Sequence, residues 1–281
     1  MREPMVHLLV AALLVTAACA RQDPTNTHTS TDAGDQNTGT PDGSTTAAYT
    51  VTNIAGAVTN ASSLHSVEID NASVIAAHSY LSGSATVGTF YIQDGSGPGL
   101  AVYHGKSDLD AFPAVGDLVT VKGHLSRYDG SLQVSSSTKW ATPLSITITQ
   151  AGGGTVPPPV TGLTASDYAA TGGAHADQVG HVLQFAGPLT VTNATAIVAT
   201  DTDGGTKPQG FEVTGGLVVD DNMVYTECIK PQVADGGTVS GLDLSKGIRG
   251  VWDGYQDFNG TATSPTPVLY PMNCGDLNPA Q

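Results

Sequence analysis

From Tyr49 onward the apolar residues come in short runs that mostly alternate with polar ones. Each run ends at Gly, Pro, Asp or Asn. Ser66-Val-Glu-Ile-Asp, Ser73-Val-Ile-Ala-Ala-His, Gly88-Thr-Phe-Tyr-Ile-Gln and Leu100-Ala-Val-Tyr are such runs, and Val115-Gly-Asp-Leu-Val-Thr-Val-Lys-Gly-His-Leu is the longest. A period of two with frequent turn residues specifies strands. The composition agrees: 34 Gly, 16 Pro and only 12% charged residues among many β-branched ones describe an all-β extracellular protein. Aromatic residues are 6% of the chain, so any core is small and built from Val, Leu and Ile.

The first 47 residues follow other rules. Leu8 to Val15 is apolar, and Thr16-Ala-Ala-Cys19 closes it. A membrane-spanning helix needs about 20 apolar residues, so the short run with small residues after it reads as a signal peptide over residues 1–18. Residues 19–47 contain no Val, Ile, Leu, Phe, Tyr or Trp. Such a stretch cannot offset chain entropy by burial and is expected to be a disordered tether. The Ala17-Ala18-Cys19 sequence resembles the lipobox of bacterial lipoproteins, with Thr16 where that family prefers Leu. The resemblance implies cleavage before Cys19, a diacylglyceryl group on its thiol and a lipid anchor in the cell envelope. Ala20, in place of Asp, implies the outer membrane of a Gram-negative cell.

Two folded modules are expected, residues 48–150 and 161–281, joined by the linker Ala151-Gly-Gly-Gly-Thr-Val-Pro-Pro-Pro-Val160. The second echoes the first in order. Gly210-Phe-Glu-Val parallels Gly88-Thr-Phe-Tyr-Ile, Gly247-Ile-Arg-Gly-Val-Trp parallels Thr120-Val-Lys-Gly-His-Leu, and Phe258-Asn-Gly260 parallels Tyr128-Asp-Gly130. Within the first, Gly123 is expected at a bulge or bend. The run Val115 to Gly123, the Tyr128-Asp-Gly turn and the preceding Gly88-Thr-Phe-Tyr-Ile-Gln-Asp-Gly resemble the OB-like domain of secreted bacterial proteins. That domain accompanies extracellular nucleases and phosphoesterases. The resemblance covers 49–150 closely and 161–277 loosely. It implies two small five-stranded Greek-key barrels, the second divergent. In such barrels the strand face and loops bind oligonucleotides or oligosaccharides.

Cys228 and Cys274 remain once Cys19 is lipidated, and an oxidising compartment favours their pairing. They are placed near strand ends in the second module. Catalytic chemistry is not legible. Asp94-Gly-Ser-Gly-Pro-Gly lacks the nucleophile-elbow spacing and reads as a turn. His175 and His181 fit no zinc motif and read as surface residues. Asp201-Thr-Asp203 and Asp220-Asp221 read as polar turns, and the Asp253/Asp257 pair as chance adjacency among 25 acidic residues. No enzyme, metal or cofactor is expected.

Binding is the remaining reading. Alternation sends Phe90, Ile92, Leu100 and Val102 inward, with Val119, Val121 and Leu125 on the core face of their strand. Tyr91, Tyr103, Lys122 and His124 are then expected to face solvent, with Arg127 and Tyr128 in the adjoining turn. Such a face stacks bases or sugar rings. The net charge of −15 repels phosphate backbones. A protein or glycan partner is therefore ranked above single-stranded nucleic acid, with the membrane engaged through Cys19.

Overall fold

The computed structural model describes residues 48–128, 130–169, 175–200, 206–230, 232, 239–255 and 266–279. The leader, Cys19 and tether lie outside these residues, as do Asp201, Asp203, Asp257 and Phe258-Asn-Gly260. None of the described helices is long and apolar enough to cross a membrane.

The chain is all-β, with the strands of the described residues in two seven-stranded sheets. The first contains β1 (Thr50–Val51), β2 (Ser66–Ser82), β3 (Ala85–Gln93), β4 (Leu100–His104), β5 (Leu118–Tyr128), β6 (Ser131–Ser135) and β7 (Ser145–Gln150). Their order is β1-β2-β3-β4-β6-β5-β7, and β2 also pairs with β5. Strands β2, β3, β4, β6 and β5 therefore close a ring of pairings. Within it β4 and β6 run parallel, and every other pair is antiparallel. Strand β2 serves two neighbours because it is long: Ser66 to Ser73 pair with β5, and Ser73 to Ser82 with β3. Within the stretch paired with β5 its register slips between Ile69 and Ala72, and Asn71 adopts φ 51°. Such a bulge bends a strand enough to close a ring.

The second sheet contains β8 (Val160–Leu163), β9 (Val182–Ala186), β10 (Val191–Thr200), β11 (Thr206–Val213), β12 (Leu217–Asp220), β13 (Gly247–Tyr255) and β14 (Thr266–Tyr270). Its order is β10-β11-β12-β14-β13-β9-β8, with β12 and β14 parallel. Two of the three sequence echoes fall on matching strands. Gly88 and Gly210 lie in β3 and β11; the Gly123 and Gly250 segments lie in β5 and β13. The long β2 corresponds to two strands, β9 and β10, separated by Gly187-Pro-Leu-Thr190. The short leading strands β1 and β8 both run parallel to the strand that follows.

Each sheet encloses its own core. Val67, Val74, Phe90, Ile92, Val102, Val119, Val121 and Leu125 fill the first, in agreement with the alternation. Leu183, Phe185, Phe211, Leu217, Ile248, Trp252 and Leu269 fill the second. A one-turn helix missed by the periodicity, α1 (Ile54–Thr59), packs Ile54 and Ala57 into the first core. Asn53 Oδ1 accepts from Gly56 N at 2.7 Å. The Asp94 turn supplies two more acceptors, Asp94 Oδ2 for Ile54 N and Ser96 Oγ for Ala55 N. Together they satisfy helix-end donors that would otherwise lack partners. Gly123 makes no bulge. Its register with Val67 is unbroken, and a Cβ there would lie 2.5 Å from Val134 Cγ1. The position faces inward and has no room for a side chain.

Cys228 and Cys274 form the disulfide. They sit in short helical turns, Tyr225–Ile229 and Cys274–Asp276, rather than at strand ends. The 151–160 linker is tied down. Gly152 N donates to Asp117 Oδ1, Gly154 N to Gly116 O and Thr155 N to Ser73 Oγ.

A third apolar cluster joins the sheets. Ile75, Ala76, Tyr91 and Ala101 of the first pack with Ile197, Val218, Val251, Val268, Tyr270 and Met272 of the second or just after it. The backbones meet where Gly99 N donates to Val179 O at 3.1 Å. A Cβ on Gly99 would lie 2.2 Å from Gly180 O, and Gly180 has φ +78°. Only glycine at both positions allows so close an approach.

Candidate functional site

The six residues expected on one exposed face are not gathered there. Tyr91 is 2% exposed, and its hydroxyl donates to Asp253 Oδ2 across the sheet contact at 3.0 Å. Burial, reinforced by the Asp253 charge, holds its phenol far above the ordinary tyrosine range. It is a contact between sheets and offers no stacking surface. His124 is also buried, covered by the His65 and Trp140 rings. Its Nδ1 lies 2.6 Å from His65 O. Tyr103 is half-buried on the side of β4 that carries Ala101. Lys122 is half-exposed and paired with Glu68 at 2.9 Å, its directly opposite residue on β2. That bond raises its pKa. Arg127 is exposed and donates to Gly130 O, and Tyr128 is exposed beside it.

Two clusters emerge instead. The first lies between the sheets. Asp253, 3% exposed, accepts from Tyr91 and Ser131 at Oδ2 and from Gly254 N at Oδ1. Burial pushes its carboxyl pKa upward; these donors and the Arg127 charge pull against that shift. Three donors converging on one carboxylate make a staple. Asp220 and Asp221, read from sequence as a polar turn, are buried at the end of β12. His181 Nε2 meets Gly97 O and His78 Nδ1 meets Met272 O, both across the same contact. His175 stacks on Tyr168 at 4.0 Å. Neither His175 nor His181 is a bare surface residue.

The second cluster is the better binding candidate. Trp140, in the turn between β6 and β7, is half-buried. His65, preceding β2, stacks on it with centroids 4.4 Å apart and planes 9° apart. His124 lies 6.0 Å from the indole at 24°. Lys139, which is exposed, places its Nζ 5.2 Å from the indole centroid. Ser137 and Thr142 close the turn through paired backbone bonds, which fixes the indole. The arrangement is a half-buried indole stacked on His65, with an exposed cation over its ring. Strand alternation does not reveal it, because Trp140 lies outside a strand. Its signal was an isolated Trp beside Lys in the otherwise small and polar stretch Ser135-Ser-Ser-Thr-Lys-Trp-Ala-Thr.

Among the described residues no group of three or more His, Cys, Asp or Glu could hold a metal ion. No family model, curated protein or solved structure matches the chain.

Proposed function

We propose that this protein is a non-catalytic binding module of the bacterial cell envelope. In this reading two OB-like barrels are carried on the 19–47 tether and anchored in the outer membrane by lipid on Cys19. The barrel reading is supported by the five-strand ring of β2, β3, β4, β6 and β5 with its single parallel pair, and by the same order in the second sheet. The binding reading is carried by the half-buried Trp140 ring, held by His65 and flanked by exposed Lys139. A sugar ring stacks on such a surface, and Lys139 and its neighbours hydrogen-bond the hydroxyls. A glycan is favoured because the chain is acidic and the Trp140 cluster carries little positive charge. Single-stranded nucleic acid, the other sequence-based reading, has weaker support, since Tyr91 is buried against Asp253.

The test is a glycan array followed by calorimetric titration of each hit with the full chain. Trp140→Ala is expected to weaken binding at least tenfold, about 1.4 kcal/mol, while Tyr103→Phe leaves it unchanged. A flat array, or hits indifferent to Trp140→Ala, contradicts the proposal.

A further inference from the structure

Where the linker crosses the contact between the sheets, it leaves a cleft of about 230 Å³. Its apolar walls come from separate parts of the chain: Ile75 and Val115 from the first sheet region, Val156 from the linker, and Val251 and Met272 from the second. Arg249 and Asp276 line it as well. The Asp276 carboxylate accepts three hydrogen bonds from the protein. Oδ1 accepts from Arg249 Nε at 2.6 Å, and Oδ2 accepts from Met272 N and Asn273 N at 2.8 and 3.2 Å. Asp276 therefore fixes the guanidinium through Nε alone. Among the described residues no acceptor meets the Nη groups of Arg249. A guanidinium presents five N–H donors in a planar fork, so four remain available beside an apolar cleft.

We infer that this cleft binds a small monocarboxylic acid with an apolar body, the carboxylate on the Nη edge of Arg249 and the body against Val115, Val156 and Val182. Carboxylate geometry matches the guanidinium fork, and the walls favour an apolar tail over an inorganic anion. The volume lies below the roughly 300–1,000 Å³ of drug-sized sites, which limits the ligand to a short chain. The net charge of −15 and the adjacent Asp276 disfavour a second negative charge.

The test is a titration of the full chain with hexanoate, followed by valine methyl resonances, with hexanamide as the uncharged control. Saturable shifts at Val115, Val156 and Val182 are expected, with hexanamide at least about tenfold weaker. Arg249→Gln is expected to abolish the difference between the two. Val156→Trp, which fills the cleft and leaves the ion pair in place, is expected to abolish binding even if Arg249→Gln does not fold. No shift with hexanoate, equal shifts with hexanamide, or binding unchanged by Val156→Trp overturns the inference.

Discussion

Buried between the two sheets, Asp253 accepts hydrogen bonds from Tyr91, Ser131 and Gly254. Burial raises its pKa, so the folded chain holds the Asp253 proton more tightly than the unfolded chain does. That contribution to stability is full below the unfolded carboxylate value of about 3.9 and is lost as pH rises through the raised folded value. Asp253→Asn does not titrate. Compared with wild type in urea melts between about pH 4 and pH 7, it is expected to show a smaller fall in stability as pH rises. Tyr91→Phe removes one donor from the carboxylate and is expected to cost about 1–2 kcal/mol in the same melts. Nothing in the alternation of Gly88-Thr-Phe-Tyr-Ile-Gln distinguishes a solvated outer face from one covered by a second sheet. The neighbouring residues carried that information. Val74-Ile-Ala-Ala and Leu100-Ala-Val-Tyr are continuous apolar runs, the pattern of strands buried on both faces.

At the scale of elements, strands were legible and their junctions were not. Val119, Val121 and Leu125 alternate as a half-buried strand must, and they fill the first core. The bulge at Asn71 and the split between β9 and β10 depend on ring closure, which a local pattern does not encode. Helix α1 is too short to show a period, and its donors are satisfied by Asp94 and Ser96, about 40 residues away. The cysteine pair was legible from the count alone, although its position in helical turns was not. The bridge closes a loop of sequence separation 46, for which chain entropy gives about 4 kcal/mol. Cys228→Ser with Cys274→Ser is expected to lower stability by that order. Thermal melts with and without reductant check it: reductant should affect wild type and leave the double variant unchanged.

For the whole molecule, the contact between sheets decides which surfaces are available to a partner. It occupies the face that carries Tyr91 and leaves the half-buried Trp140 ring outside it. The Gly99–Gly180 approach admits no side chain. Gly180→Ala, at φ +78° and with its Cβ 2.3 Å from Gly99 Cα, is expected to cost about 2 kcal/mol or more. It is also expected to broaden a single unfolding transition into two, visible by calorimetry. The most direct test is a double-mutant cycle on Tyr91 and Asp253, residues 162 apart in sequence and on different sheets. Stabilities of Tyr91→Ala, Asp253→Ala and the double variant should show a coupling of about 1–3 kcal/mol. Additivity within about 0.5 kcal/mol would mean the sheets do not meet through this pair, and Tyr91 would return to the set of exposed binding residues.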